Sequence, residues 1–424
     1  MSRAFLQRNN TASGPLGSLG VENDNDVVIV SALRTAIGKA RRGGFAETTP
    51  DELLKAVFEA TMERSKVPYS EVGNVTVGNV QMGGSYAGSA RMAQLRSGFP
   101  VTVPLNSVNR QCSSGLQAIA DVAGAIASGS IDAGIGAGVE SMSYGGGVQP
   151  KPGEKRAPTP ANMKANFEHP LARQALSSMG QTSENVAERY GITREMQDSM
   201  AYDSNMRALR AQKEGRFKRE IVPVKTTKTD KATGKKMEIV VDADEGPRAS
   251  TTMEGLAKLK PAFKENGTST AGNSSQVSDG AAAVLLMKRS KAKALGAPII
   301  GSFRGYKVVG VNPDEMGIGP AVAIPPACEA VGITPQDVDV YEINEAFASQ
   351  AAYCVKKLNI DWEKVNPNGG AIALGHPLGM TGARQVATLL AELHRTKKKV
   401  GCVSMCIGTG MGMAAIIEAE GDSF

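Results

Sequence analysis

The chain reads as an α/β protein built from two related halves separated by an insertion, and three observations predict this. Apolar strand-like runs alternate with amphipathic helical stretches between residues 27 and 139, and again from residue 298 onward. Aromatic residues make up only 4% of the 424 positions while glycine contributes 48, which suits closely packed helix and sheet layers better than a β-sandwich. The two runs also share a local pattern. Gly115 is followed by a helix and a glycine-rich strand, and Gly382 by a helix and a strand. Gly115 to Gly136 spans 21 residues and Gly382 to Cys402 spans 20.

Structure is expected from residue 26, after an N-terminal extension over 1–25. A buried strand opens at Val27-Val28-Ile29-Val30. Thr49-Pro50-Asp51-Glu52 then combines a capping box with proline at the first helical position, and Leu53, Leu54, Val57 and Ala60 form the apolar stripe of that helix. A strand at 75–80, a helix near 90–95 and a strand at 101–105 follow. After Cys112, the residues Leu116, Ile119, Ala120, Ala123 and Ile126 recur at helical spacing, which places this cysteine at a helix N-terminus. A strand at 131–139 completes the first run. Strands alternating with helices predict a mostly parallel, covered sheet. From 145 to 263 prolines, lysines and glutamates change the texture, and this stretch reads as an inserted loop subdomain. It carries a helix over 194–214 with Met196, Met200, Met206 and Leu209, and a hairpin joining Val222-Pro223-Val224 to Ile239-Val240-Val241. The sheet pattern resumes at 280–287. The N-terminal half is therefore 26–144 plus 264–292, and the C-terminal half is 293–424, where Val386, Leu389, Leu390 and Leu393 mark a helix ahead of a strand at 400–406.

Composition excludes several classes. The net charge of +6 is spread along the chain, with one local concentration at Lys225, Lys228, Lys231, Lys235 and Lys236. No aromatic residue interleaves them, so they read as a solvated hairpin tip rather than a nucleic-acid surface. No apolar run reaches the length of a transmembrane helix. Five cysteines at irregular spacing argue for a reducing compartment and against a disulfide framework. His169, His376 and His394 are scattered, so no metal site is expected. Arg3 and Arg8 among Ser2, Thr11, Ser13 and Ser18, with no acidic residue before Glu22, are compatible with a transit-like extension or a plain tail.

The chemistry is concentrated in Asn109-Arg110-Gln111-Cys112-Ser113-Ser114-Gly115. A free thiol is only ~3% ionised at pH 7, and lowering its pKa by two units takes about 2.7 kcal/mol. A helix N-terminus supplies roughly 0.3–1 kcal/mol, so a reactive Cys112 needs a base from elsewhere. Three further stretches place polar groups at element ends: Asn344-Glu345-Ala346-Phe347, Gly375-His376-Pro377-Leu378-Gly379 and Cys406-Ile407-Gly408-Thr409-Gly410.

In this order, the four stretches resemble the thiolase family, and the resemblance runs from about residue 27 to 418. It implies a five-layer α-β-α-β-α fold of duplicated halves and CoA-dependent cleavage of 3-ketoacyl-CoA to acetyl-CoA and a shortened acyl-CoA. By the same resemblance, Cys112 is the nucleophile that becomes acylated and His376 takes its proton. Cys406 protonates the departing acetyl-CoA enolate and then deprotonates the incoming CoA thiol. His376 and a water held by Asn344 serve the enolate oxygen, and the backbone N–H groups of Cys112 and Gly408 serve the acyl intermediate, with glycine at 408 expected to permit close backbone approach. Arg248 is carried over as an adenine-nucleotide contact and Ser275 as a pantetheine contact. Phe263, Met179 and Phe347 are carried over as the lining of the acyl-pantetheine channel.

CoA is then a co-substrate, with no permanently bound cofactor. The same resemblance implies a homodimer, with a tetramer as the alternative, and a peroxisomal or glyoxysomal location. Neither an Arg-Leu-x5-His-Leu type address nor a C-terminal Ser-Lys-Leu is present, which keeps mitochondrial and cytosolic alternatives open. Ser178-Met179-Gly180 stands where some short-chain acetoacetyl-CoA enzymes have His-Met-Gly, which argues against a strictly acetoacetyl substrate. Three rivals remain: a dinucleotide enzyme using Gly134-Ile135-Gly136-Ala137-Gly138 or Gly408-Thr409-Gly410-Met411-Gly412, a decarboxylating ketoacyl synthase, and a non-catalytic scaffold of the same fold.

Overall fold

The computed structural model describes residues 16–82, 86–144, 163–230 and 232–421. Most of the expected N-terminal extension, the start of the insertion at 145–162 and Lys231 lie outside the described residues. Nine principal strands follow the chain as β1 (Val27–Thr35), β2 (Asn74–Gly78), β3 (Leu105–Val108), β4 (Ala133–Ser141), β5 (Ser278–Lys288), β6 (Gly301–Gly310), β7 (Val340–Ile343), β8 (Val400–Ile407) and β9 (Met411–Ala419). The main helices are α1 (Pro50–Ser65), α2 (Ala87–Arg96), α3 (Ser114–Ala127), α4 (Met179–Tyr190), α5 (Arg194–Lys213), α6 (Gly319–Glu329), α7 (Ala348–Leu358) and α8 (Leu378–Thr396).

The strand order repeats. One half runs β1-β5-β4-β2-β3 and the other β6-β9-β8-β7. In each, the first strand pairs antiparallel with the last, the last pairs antiparallel with the strand before it, and that strand pairs parallel with the next. Among the described residues, the half-sheets meet only where Val28 and Ile29 of β1 pair with Ser302 and Gly301 of β6.

Side-chain alternation builds the layers. Val28 and Val30 of β1, with Val75, Ile135 and Leu285, face an outer core filled by Leu53, Leu54 and Phe58 of α1 and Ala90 and Ala93 of α2. Ile29, Val284 and Leu286 point the other way, into a central core with Ile119 and Ala123 of α3, Val386 and Leu389 of α8, and Val403 and Met405 of β8. Beyond β8, Cys402, Tyr341 and Ile416 pack against Ile324 and Ala327 of α6 and Val355 of α7. Five layers result, α-β-α-β-α, with α3 and α8 at the centre.

The sheet is mixed rather than mostly parallel. A crossover helix forces parallel pairing only between the strands it joins, whereas β5 returns after the insertion and β9 folds back from β8 across Gly408-Thr409-Gly410. Residues 101–103 form a turn with Val101 78% exposed, and the strand before Cys112 begins only after Pro104. Thr49 precedes α1, but its side chain makes no cap, and the Glu52 carboxylate instead pairs with Arg96 at 2.5 Å.

The insertion forms the expected hairpin, with Val224–Thr229 antiparallel to Lys236–Val241. A buried Arg34 fastens the insertion to the sheet. Its guanidinium reaches Glu220 at 2.6 Å and Asp244 at 2.7 and 2.9 Å, and Glu220 also accepts from Thr388 of α8 at 2.9 Å. Such a network is costly to break one partner at a time.

Candidate active site

The site lies beyond the C-terminal ends of the parallel strands, where an open α/β sheet presents its loops. Cys112 sits two residues before α3 in a turn fixed by its own side chains. Asn109 Oδ1 accepts from the Gln111 N–H at 2.9 Å, and Ser114 Oγ accepts from the Arg110 N–H at 2.9 Å. Gln111 adopts a left-handed φ of 47°, the strain that turns the thiol out of the strand direction. The thiol is half-buried. Burial pushes it up to about 11, outweighing the N–H groups of Gly408 and of Cys112 itself, which both donate to the sulfur, while the Glu140 charge pushes it further up. A thiolate preformed at the helix terminus is thus not what the fold provides. Cys112 rests as a thiol.

His376 precedes α8 and is buried. Its Nδ1 lies 2.6 Å from Thr381 Oγ1, and Thr381 Oγ1 donates to the Pro377 carbonyl at 3.0 Å. A hydroxyl has one proton. With that proton given to Pro377, Thr381 accepts from Nδ1–H, and Nε2 keeps its lone pair. Asn344 Nδ2 lies 3.3 Å from Nε2, consistent with that tautomer. Burial, then the Arg384 charge, pulls His376 down to about 3, so the imidazole rests neutral with its Nε2 lone pair free.

Cys406 ends β8, fully buried beside Met316, Ala346 and Phe347. Its thiol is pushed well up, first by burial and then by its neighbours Cys112 and Cys354. Asn344 follows β7, with its N–H donating to Ser404 of β8 at 2.9 Å. The expected close approach at Gly408 is absent: a Cβ there would meet nothing nearer than Met179 Sδ at 3.6 Å. The glycine leaves the space above the two N–H donors open.

Glycines let the two halves touch. A Cβ on Gly138 would stand 2.0 Å from the Gly379 carbonyl, one on Gly115 would stand 2.6 Å from the same oxygen, and one on Gly382 would stand 2.3 Å from the Leu116 nitrogen. The starts of α3 and α8, three residues beyond Cys112 and His376, therefore meet backbone to backbone. In the strand, Gly136 likewise lies against Ile119. Gly134-Ile135-Gly136-Ala137-Gly138 is thus a β-strand with a glycine face under the central helices, not a dinucleotide loop.

The expected channel residues assemble unequally. Phe263 packs edge-on to Phe347 at 5.8 Å and lies over Gly180, next to Met179, which itself approaches Gly408. Arg248 lines a separate recess of about 220 Å³ with Ser250, Thr252, Leu259 and Gly272. Ser275 is half-buried, its N–H donating to the Ala346 carbonyl at 3.0 Å, which ties its loop to the Asn344 motif. Another recess, about 640 Å³ around Met196 and Trp362, contains none of these residues.

Four residues of the site had not been anticipated. Thr381 orients His376. Glu345 accepts from Ser204 and Asn366 at 2.7 Å each and anchors the loop leading to His376. Glu140 and Asn79 lie behind Cys112. An acidic residue inside a glycine-rich apolar strand was the available signal for Glu140. Among the described residues no group of side chains could hold a metal ion, and no helix is long and apolar enough to cross a membrane.

The arrangement can perform acyl transfer: a thiol nucleophile with two N–H donors at its sulfur, a neutral imidazole of fixed tautomer and a second thiol at hand. Comparison with known proteins agrees with this chemistry. Residues 27–290 match the family described as thiolase, N-terminal domain, and residues 297–419 match thiolase, C-terminal domain. The 3-ketoacyl-CoA thiolase A, peroxisomal, of Mus musculus is 58% identical over 400 residues, covering 94% of this chain and 92% of that protein. The crystal structure of the dimeric peroxisomal thiolase of Saccharomyces cerevisiae superposes with a TM-score of 0.86 at 45% identity, covering 94% of this chain and 99% of the other. A second structure from that yeast, described as five-layered and made of two core domains of identical topology, has a TM-score of 0.77 at 42% identity, covering 95% and 100%.

Proposed function

The chain belongs to the thiolase family, and from that premise we propose that it cleaves 3-ketoacyl-CoA with CoA to give acetyl-CoA and an acyl-CoA two carbons shorter, in the peroxisome. The observation that carries this reading is the meeting of the Cys112 sulfur with the Gly408 N–H and the Cys406 thiol of the other half. Cys112 Sγ attacks the 3-keto carbon as its proton passes to His376 Nε2. Because the resting pair is neutral, proton transfer accompanies C–S bond formation. The C2–C3 bond then breaks and Cys406 protonates the acetyl-CoA enolate, whose oxygen faces His376 and a water on Asn344. Cys406, now a thiolate, takes the proton of CoA, the CoA sulfur displaces the acyl group from Cys112, and the expelled Cys112 thiolate recovers its proton from His376. The Cys112 and Gly408 N–H groups receive the oxyanion of the acyl intermediate.

Arg248 and its recess take the nucleotide end of CoA, Ser275 the pantetheine arm, and Met179, Phe263 and Phe347 the acyl-pantetheine channel. CoA is a co-substrate, and the reaction needs no resident cofactor. The halves are 26–144 with 264–292, and 293–424, with 145–263 as the loop insertion. The assembly is a homodimer, supported by the dimeric yeast relative and by β3, which stands last in the sheet order beside the exposed Val101 and Met92. Cys112→Ala tests the chemistry: CoA-dependent loss of 3-ketoacyl-CoA should vanish while the fold is kept, and full turnover by this variant would refute the reading. A series of 3-ketoacyl-CoA chain lengths separates a broad thiolase from an acetoacetyl-CoA enzyme.

A further inference from the structure

The two halves repeat residue by residue at the end that carries the chemistry. Cys406 is the penultimate residue of β8 and pairs with Gly412 of β9, while Glu140 is the penultimate residue of β4 and pairs with Gly280 of β5. Ser404 pairs with Ile343, and Gly138 pairs with Gly78, so the residues that follow, Asn344 and Asn79, also correspond. Cys406 faces Cys112 at the start of α3. Glu140 faces Gly379 at the start of α8, three residues from His376. We infer that Glu140, with Asn79, is a positioning residue for the thiolase reaction proposed above, clamping the start of α8 so that His376 faces Cys112.

Fully buried, the carboxylate accepts from the Gly379 N–H at 3.0 Å and the Val80 N–H at 3.2 Å on one oxygen, and from the Gln81 N–H at 3.1 Å and Asn79 Nδ2 at 3.4 Å on the other. Two paths leave it. Through Gly379, whose N–H is one of the four that α8 cannot satisfy internally, it fixes the helical turn that holds Thr381 against His376 Nδ1. Through Val80, whose carbonyl accepts from Asn109 Nδ2 at 3.2 Å, it reaches the turn that presents Cys112. Asn79 braces the loop by donating to the Val139 carbonyl at 2.8 Å and accepting from the Met82 N–H at 3.0 Å. One carboxylate thus holds the base of one half and the nucleophile of the other.

All four donors are neutral, and only an acceptor satisfies them. Glutamine would turn its NH₂ toward N–H groups. Burial holds Glu140 up at about 7, and the groups whose ionisation its charge disfavours are Cys112 and Tyr86.

Glu140→Gln and Glu140→Asp in the full chain test this, with Cys112→Ala as reference. Glu140→Gln should lower kcat about 10- to 100-fold, the scale of a misplaced or unsupported catalytic group, with KM for CoA within about threefold. Its Cys112 should at the same time react with iodoacetamide at lower pH than the parent, because a negative neighbour has been removed. Glu140→Asp, charged but short, should lose kcat while keeping the parental alkylation profile. A merely structural role lowers turnover and alkylation together, in step with the melting temperature, and that result would overturn the inference. So would Glu140→Gln with kcat within about twofold of the parent. Full activity in Cys112→Ala would bring down the functional reading and this inference with it, whereas a dead Cys112→Ala beside a normal Glu140→Gln removes this inference alone.

Discussion

The two halves share a frame and differ in what stands on it. At matching ends of β8 and β4, one carries Cys406 and the other Glu140; after β7 and β2, one carries Asn344 and the other Asn79. The Cys406 side faces Cys112, and the Glu140 side faces the helix that follows His376. In the proposed reaction the first end carries the chemistry, and the second supports it. The difference teaches that the chemistry requires the symmetry to be broken: a second thiol is needed once, and the base has to be held from across the interface.

The comparison can be broken most severely at the base. His376→Asn keeps a hydrogen bond to Thr381 but loses the basic ring nitrogen, and kcat/KM for thiolysis should fall by about 10²–10⁴-fold with little change in melting temperature. A loss below tenfold would assign the base elsewhere. Next comes the seam. Gly138→Ala drives a methyl into the Gly379 carbonyl, 2.0 Å from the Cβ position. It should cost about 1–3 kcal/mol of stability and lower kcat, because the seam that joins the starts of α3 and α8 must open. Unchanged stability would mean that the halves are not in backbone contact. Thr381→Val removes the hydroxyl that fixes the imidazole tautomer, and a loss of about tenfold in kcat is expected from the support it gives.

The smallest effects are in pH-dependent stability, and their signs are opposite on the two sides. His376 is held down to about 3 from an ordinary 6.5. Its contribution is complete above 6.5 and is lost as pH falls toward and through 3, because the unfolded chain binds a proton there that the folded chain refuses. Glu140 is held up at about 7 from 4.5. Its contribution is complete below 4.5 and is lost as pH rises through 7. Urea midpoints measured from pH 4.5 to 7.5 should therefore show His376→Asn flattening the acid-side loss of stability and Glu140→Gln flattening the neutral-side loss. Parallel curves for parent and variants would show that neither group is buried as described.

Cys112, His376 and Cys406 could be singled out because each lies in a short motif at an element end, and the duplication was legible from Gly115 and Gly382. What the sequence concealed was tertiary. The antiparallel return of β5 and β9 depends on connections whose length does not fix direction. The glycine face of β4 looks like a phosphate loop until the helices are laid on it. Glu140 and Thr381 carry no motif, since their partners are backbone groups and a ring nitrogen brought in from other elements. Local reading also missed the burial of Cys112, which pushes its thiol up by more than the N–H groups of Gly408 and Cys112 bring it down.

The central claim is that Cys112 of one half accepts the acyl group and the other half completes the turnover. Incubating the protein with a 3-ketoacyl-CoA in the absence of CoA, and weighing its peptides by mass spectrometry, tests this directly. One acyl group per chain on the Cys112 peptide, with one equivalent of acetyl-CoA released and the adduct cleared by added CoA, is the expected result. An adduct on Cys406, Cys354 or Cys328, or acetyl-CoA release with Cys112 unmodified, would contradict it.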